Sequence, residues 1–364
     1  MTSREDEILK LIKEDPFIQQ QSIADKLKIS RSAVAVHIMN MTRKGVIRGK
    51  GYIVDRPQYV VVIGGTNMDI LGQPEVALVE RDSNPGKITG SAGGVGRNIA
   101  ENLARLGVDT KLISVVGDDP YGNVVLEATR KAGVDVKAVS QLTGQTTSTY
   151  LSLLDAHGDM LAAVSDMSIL EHLNIGLLAQ HSDLIQHASA IIIDTNINED
   201  VLAYLFSNFQ EQVIYLDTVS TAKAVKSKPY LKHIHTLKPN LLEAQTISGL
   251  PLNSDEDIDD IADWFINQGI TRLFLSLGAD GILYRSAEDT ELIRAPKVQV
   301  VNANGAGDAF LAGLVYGQMN NLTDAESCCF ALGCAMLTME HTQTINPTIT
   351  ELMVQQRLGS ADLW

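Results

Sequence analysis

Cysteine is scarce in this 364-residue sequence: three residues, Cys328, Cys329 and Cys334, sit together in one late segment. They have no distant partner, and the adjacent pair lacks the two-residue gap of a zinc site, so neither a disulfide framework nor a zinc cluster is expected. They read instead as small buried hydrophobes of a reducing, cytoplasmic compartment. Long apolar runs are missing too. No segment reaches the roughly 18 consecutive apolar residues of a membrane span, and the opening MTSREDEILKL carries charge where a secretory leader needs an apolar stretch, so no membrane partner is expected. Basic residues are the minority, 29 Lys and Arg against 44 Asp and Glu for a net charge of −15. Familiar nucleotide and metal motifs are absent as well. No G-x-x-x-x-G-K-[ST] occurs, since Gly49-Lys50 and Gly86-Lys87 lack the following hydroxyl. GGVGRNIA has neither the third glycine nor the preceding strand of a dinucleotide fingerprint, and the eight histidines show no metal-ligand spacing.

The charge is unevenly distributed. Residues 1–56 carry 11 Lys and Arg against 7 Asp and Glu, whereas the remainder carries 18 against 37. This asymmetry predicts a basic module, residues 1–56, joined to an acidic body, residues 57–364, that would bind nucleic acid poorly by itself. In the module, Ile8, Leu11 and Ile12 recur at helical spacing until Pro16, and a short helix is expected over Ser22–Leu27. A third helix follows Ser30 as N-cap, with Val34, Ile38 and Met41 on one stripe and Gly45 at its end. VIRGKGYIV then reads as two short strands about a basic turn. This order resembles a winged helix-turn-helix. The resemblance implies that the third helix faces DNA through Arg31, Ser32, Val36, Met39 and Arg43, while Lys50 in the wing neutralises a phosphate. A protein-interaction module with a solvated basic face is the alternative, and Val36 and Met39 speak for it, because they read little beyond a thymine methyl.

From Tyr59 the texture changes. YVVVIGG, KLISVVG, AIIIDT, VIYLDT, HTLKPN and RLFLSLG are short apolar runs separated by helical patterns, as expected of a mostly parallel sheet between two helix layers, a three-layer α/β/α arrangement. TSTYLSLLDAHGDMLAAV has hairpin texture around Asp155–Asp159, and strands within about 72–92 and 145–166 are expected to form a small β lid. After the extended KVQVV, the stretch NANGAGDAFLAGLVYG turns tightly into a helix with Phe310, Leu311, Leu314 and Val315 on its apolar side. Gly305, Ala306 and Gly307 leave the backbone bare, so successive N–H groups at the helix N-terminus can converge on an anion. Asp308 beside that anion makes little sense as a phosphate binder and good sense as a base for an attacking hydroxyl. A Gly-rich turn followed by a first-turn Asp is also what the helix dipole alone favours.

NGAGDAFLAG resembles the C-terminal signature of the PfkB, or ribokinase-like, family of sugar and nucleoside kinases. GGVGRNIAENLARLG, residues 93–107, is similar to its N-terminal signature, and GGTNMDI, VGDDPYG, KPNLLEA and SLGADGILY are similar to further family segments in the same order. The resemblance covers nearly all of residues 59–350. It implies a ribokinase-like fold and ATP-dependent phosphorylation of a hydroxymethyl group on a furanose-like sugar or nucleoside. It also implies that Asn67, Asp69, Gly93, Gly94 and Asn98 bind the acceptor, that Asn240 and Glu243 organise Mg2+ and phosphate, Glu243 through water, and that Ser276, Gly278 and Gly281 form the nucleotide-binding turn. Gly305, Ala306 and Gly307 then form the anion hole, and Asp308 is the general base that touches the acceptor. The motifs give no role to Lys87 and Arg97, which read as surface charges; Asp217, ending a buried strand, is a further residue near the site. Asn302-Ala303-Asn304 departs from the family's Asp-Thr-Thr/Ser, in which the acidic residue helps hold a monovalent cation. Asn302 still offers a carbonyl oxygen but no formal charge, which puts activation by K+ in question, although backbone oxygens could retain the cation.

The fusion to a winged helix resembles the pseudouridine- and nucleoside-kinase branch, although ribose- or fructose-type acceptors also suit GGTNMDI. Nucleoside choice would come from the lid around Thr147–Tyr150. A homodimer is expected, because lids in this family pair across dimers and winged helices read two half-sites. The competing reading is a transcriptional regulator that keeps the kinase fold as a sugar or nucleoside sensor; Asp308, Glu243 and Asn98 argue against it, since a sensor needs no base.

Overall fold

Thr2 opens the first helix, Ser3–Glu14, with a reciprocal cap: its hydroxyl accepts the Glu5 N–H, and the Glu5 carboxylate accepts the Thr2 N–H. Glu5 also pairs with Lys44 at 2.8 Å, which ties this helix to the end of the third. The second helix spans Gln20–Leu27, starting at Gln20 rather than at the expected Ser22, and Lys28 turns the chain in a left-handed conformation at φ 52°. Ser30 then caps the helix Arg31–Arg43 by accepting the Ala33 N–H, and Gly45 leaves it at φ 75°. Ile8, Ile12, Ile23, Val34, Met41 and Ile47 are buried together between these helices. The computed structural model describes residues 2–47 and 58–360, so most of the expected wing, with Lys50, lies outside the described residues. The chain divides into two units, Met1–Gln58 and Tyr59–Trp364.

In the second unit the strands, in chain order, are β1 (Val60–Ile63), β2 (Asn67–Pro74), β3 (Gly86–Gly93), β4 (Thr110–Gly117), β5 (Val139–Leu142), β6 (Thr149–Leu154) and β7 (Met160–Asp166). They continue as β8 (Ala190–Asp194), β9 (Ile214–Asp217), β10 (Thr236–Lys238), β11 (Arg272–Ser276), β12 (Ile282–Ser286) and β13 (Thr290–Ile293). Among the described residues the larger sheet has nine strands in the order β13-β12-β11-β10-β9-β8-β1-β4-β5. The pairs β11–β12 and β12–β13 are antiparallel and the rest parallel. Each apolar run feeds both faces: Val61, Ile63, Ile191, Ile193 and Leu216 enter one core, and Val60, Val62, Ile192 and Tyr215 the other. Helices Glu199–Asn208 and Asp255–Asn267 close the first core, and Ala306–Met319 and Asp324–Met339 the second, which also buries Cys328 and Cys334 as free thiols.

The smaller sheet, in the order β3-β2-β6-β7, is the lid. It begins earlier than the sequence suggested, with Asn67 opposite Gly93, because the exit of β1 turns directly into β2. The segment KVQVV, expected to be extended, lies outside both sheets; Val300 and Val301 are exposed and bury no face that a ladder would serve. The hairpin β12–β13 at the sheet edge was not expected either. Gly281 enters it at φ 113°, where a Cβ would stand 2.1 Å from the Ile293 carbonyl oxygen.

Candidate active site

The chain runs from β1 to β4 on one side and from β8 to β9 on the other, so the strand order reverses between β1 and β8. In open parallel sheets a crevice forms there, outside the carboxyl ends of the strands. Asp194 ends β8 at this point and is fully buried. Its Oδ2 accepts the N–H groups of Gly65 and Gly96, each at 2.7 Å, and its Oδ1 accepts the Asn196 N–H at 2.8 Å. The carboxylate thus joins the exit of β1 to the start of the helix Val95–Arg105. Gly64 has to be glycine, since a Cβ would stand 2.2 Å from Asp194 Oδ2. Burial raises the pKa of Asp194 against the pull of these donors. Next along the edge, Asp217 of β9 is the register partner of both Asp194 and Lys238 of β10, and Lys238 Nζ lies 3.1 Å from Asp217 Oδ2.

On the lid side, Asn67 Nδ2 donates to Asp69 Oδ1 at 2.6 Å. Gly93 faces the same carboxylate so closely that a Cβ would meet its Oδ2 at 2.1 Å, and Gly94, at φ 102°, packs on the Gly65 carbonyl. Burial raises the pKa of Asp69, opposed by Asn67 and by the charge of Arg97. Asn98, in the first turns of its helix, donates its Nδ2 to Asp308 Oδ2 at 2.9 Å across 210 residues of sequence. Arg97 is not a surface charge. It is 4% exposed and ion-paired with Glu101 one turn on, and it donates to Thr129 Oγ1 and the Ala92 carbonyl; only Lys87 is exposed as expected.

Gly305 takes the left-handed conformation at φ 79°, in a space where a Cβ would lie 1.9 Å from the Thr344 carbonyl oxygen. The helix Ala306–Met319 starts there, with its first full-turn bond from Ala309 N–H to the Gly305 carbonyl, so the Gly307 and Asp308 N–H groups precede any intrahelical acceptor. Asp308 is buried. Its pKa is pushed up to about 8 by burial and then by the charge of Asp217, against the Asn98 hydrogen bond and the Lys238 charge. Asn240 and Glu243 cap the helix Leu241–Ser248 reciprocally. Asn240 Oδ1 accepts the Glu243 N–H at 2.9 Å; Glu243 Oε2 accepts the Asn240 N–H at 2.9 Å and the Thr218 hydroxyl at 2.6 Å. Ser276 ends β11 as the bridge partner of Asn240, and Gly278 at φ 66° and Gly281 frame the short turn that follows.

Direct contacts therefore join Asn67, Asp69 and Gly93, then Asn98 and Asp308, then Asn240, Glu243 and Ser276. Asn302 stands apart: its Nδ2 donates to the Thr342 carbonyl and its Oδ1 accepts the Asn304 N–H at 3.0 Å. The Thr147 hydroxyl is also committed elsewhere, donating to Asp119 Oδ1. Asp194, Lys238 and Thr218 were not anticipated. The signal was present in AIIIDT, VIYLDT and HTLKPN, where a charge follows each buried run at the carboxyl end of its strand. In the first unit Arg31, Ser32, Val36, Met39 and Arg43 are all exposed along the third helix. Among the described residues no group of three or more His, Cys, Asp or Glu converges to hold an ion, and no helix is long and apolar enough to cross a membrane.

Comparison with known proteins gives this arrangement a context. Residues 57–351 match the model of the pfkB family carbohydrate kinases, and residues 6–48 match that of a winged helix-turn-helix DNA-binding domain, which the three N-terminal helices fit. The chain is 44% identical over 352 residues to the uncharacterized sugar kinase YeiI of Escherichia coli (strain K12), covering 96% of this chain and 97% of that protein. It is 44% identical over 293 residues to the pseudouridine kinase of the same organism, covering 80% and 94%. Among solved structures, a carbohydrate kinase from Agrobacterium tumefaciens superposes with a TM-score of 0.74 at 27% identity, over 83% of this chain and 97% of that one. The ribokinase of Arabidopsis thaliana complexed with ribose and ATP shares the fold, with a TM-score of 0.72 at 20% identity over 83% and 99%. The chain belongs to the pfkB family: it is a ribokinase-like, ATP-using kinase of sugars or nucleosides with a winged helix-turn-helix ahead of it.

Proposed function

We propose that the protein transfers the γ-phosphoryl group of ATP to the hydroxymethyl group of a pseudouridine-like nucleoside, with residues 1–56 as a DNA-binding domain. The observation that carries the catalytic part is the Asn98–Asp308 hydrogen bond, which sets a buried carboxylate of raised proton affinity at an open helix N-terminus and against the acceptor-side residues. The acceptor part is supported by 44% identity to a pseudouridine kinase along 94% of its length.

In this reading Asn67 and Asp69 hydrogen-bond the ring hydroxyls, and Gly93 and Gly94 let the sugar approach the backbone. Asn98 orients Asp308. The acceptor oxygen forms its bond to the γ-phosphorus as the bond to the bridging oxygen breaks; the electron pair leaves on ADP and the hydroxyl proton goes to Asp308. The backbone of Gly305, Ala306 and Gly307 meets the charge on the transferred group, while Ser276, Gly278 and Gly281 shape the nucleotide side. Mg2+ fits at Glu243 through water, because Oε2 is taken by Thr218 and Asn240 while Oε1 has no protein partner among the described residues. When bound with ATP it offsets phosphate charge. At Asn302 a monovalent cation would find no formal charge and a carbonyl oxygen that also accepts the Asn304 N–H, and no step of this reading is routed through K+. The protein is read as a cytoplasmic homodimer paired through its lids, where Ile88, Leu151 and Val164 are exposed.

ATP consumption measured across pseudouridine, the standard nucleosides, ribose and fructose tests the acceptor: the largest kcat/KM is expected for pseudouridine, and a preference for a free sugar would overturn that choice. Asp308→Asn is expected to lower kcat about 10³-fold while acceptor affinity stays within a few-fold. Full turnover in that variant would remove Asp308 from the mechanism.

A further inference from the structure

We propose that Lys238 is a further residue of the phosphoryl-transfer site: its ammonium, held by Asp217 against the backbone of Gly307, is the side-chain charge that meets the transferred phosphoryl group. The inference rests on the kinase reading of Asp308 and the Gly305–Gly307 backbone. Lys238 ends β10 on the carboxyl edge of the sheet, its side chain 13% exposed and its Nζ 3.1 Å from Asp217 Oδ2. A Cβ built on Gly307 would come within 2.8 Å of that nitrogen, so the ammonium lies against the first turn of the anion-binding helix. The bare backbone at Gly307 thus leaves room for the lysine tip beside the helix N-terminus.

Two observations separate this role from mere neutralisation of a buried acid. The first concerns valence. An ammonium carries three N–H donors, and among the described residues Asp217 is the partner of Nζ, which leaves donors for a ligand beside Gly307. The second concerns charge. Asp194, Asp217, Glu243 and Asp308 gather at this edge, and the Lys238 ammonium is the positive charge that acts on the last three. Lys223 and Lys226 are committed to other oxygens, donating to Asn196 and to the Thr195 and Ile197 carbonyls. A polyanionic phosphate cannot be brought beside so many carboxylates without a cation at hand. The ammonium is fixed 3.1 Å from Asp217 Oδ2 and beside the Gly307 backbone, where an incoming phosphate meets its charge. Lys238 takes no proton; it stabilises negative charge on the equatorial oxygens as the bond to ADP breaks.

The test is a double-mutant cycle in the full-length protein, with ATP and the preferred acceptor, comparing wild type, Asp217→Asn, Lys238→Met and the combined variant. Lys238→Met is expected to lower kcat about 10²-fold with the acceptor KM within about 3-fold, and to do so equally in the Asp217→Asn background, where the carboxylate it pairs with is gone; because Lys238 also favours ionised Asp308, kcat is compared on the high-pH plateau of each variant. Lys238→Arg is expected to regain part of the loss. If Lys238→Met has no effect once Asp217 is Asn, the lysine only neutralises its neighbour and the inference fails. Should Lys238→Met misfold, the combined variant still decides, since it removes both charges together. Asp308→Asn, measured alongside, keeps the two ideas apart: its full activity would sink the kinase mechanism, whereas an inactive Asp308→Asn with a fully active combined variant would sink only the role of Lys238.

Discussion

At the scale of single residues the site is a competition over one proton. Asp308 is removed from water and faces Asp217, and both effects favour its neutral form; the Asn98 amide and the Lys238 ammonium favour the anion. The base has to be ionised, so kcat/KM for the acceptor should rise about tenfold per pH unit and level off above a pKa of about 8. A flat profile between pH 6 and 9 would contradict the assignment. The same shift has a stability consequence whose sign is fixed. The unfolded chain releases this proton near the ordinary value of 3.8, whereas the folded chain holds it until about 8, so stability falls as pH rises through that window. Asp308→Asn removes the dependence. Calorimetry should show Tm raised by several degrees at pH 8.5 and little changed at pH 4, and equal gains at both would mean that Asp308 is not the group responsible.

At the scale of elements, what matters is how closely backbones approach. β2 and β3 pair with Asn67 opposite Gly93, and the missing side chain at 93 is what lets the Asp69 carboxylate stand over the ladder. Gly93→Ala should therefore push Asp69 aside and raise the acceptor KM at least about tenfold, with little change in the KM for ATP. Gly107 offers the contrast. It also has a positive φ, 86°, but nothing lies within 4 Å of a Cβ there, so Gly107→Ala should cost about 1 kcal/mol of stability and leave both KM values alone. Equal kinetic effects from the two substitutions would show that strain, not contact with Asp69, governs the lid.

The same elements explain which features were legible in the sequence. Runs such as YVVVI and AIIID announce strands buried on both faces, because no other structure of that length hides so many β-branched side chains, and the glycine turn before Asp308 announces an anion site by its bareness. Asp194, Asp217 and Lys238 each look like the first polar residue of a loop. Only the sheet order places them side by side. Arg97 misled for a related reason: its i,i+4 partner Glu101 is visible in sequence, but that spacing suits a solvated face as well as a buried pair. KVQVV shows the reverse, a strand-like pattern with no neighbouring strand to complete it.

At the scale of the whole molecule, a basic unit and an acidic one share a chain, and only the first carries a sign of charge suited to DNA. On the helix Arg31–Arg43 the two arginines stand at the two ends of an exposed face, with Ser32, Val36 and Met39 between them. Such a face binds by charge at its ends and reads methyl-rich bases weakly at its centre. If it meets a duplex, Arg31→Ala/Arg43→Ala should lessen the slope of log affinity against log salt by about 2, one counterion for each phosphate that is no longer neutralised, while kcat for the kinase reaction is unchanged. Val36→Ala should instead weaken binding only at sites with thymine under the helix. A full-length protein without measurable DNA binding at low salt, or a double variant with an unaltered slope, would leave the same face as a docking surface for another protein, since its exposed valine and methionine suit an apolar partner better than a phosphate backbone.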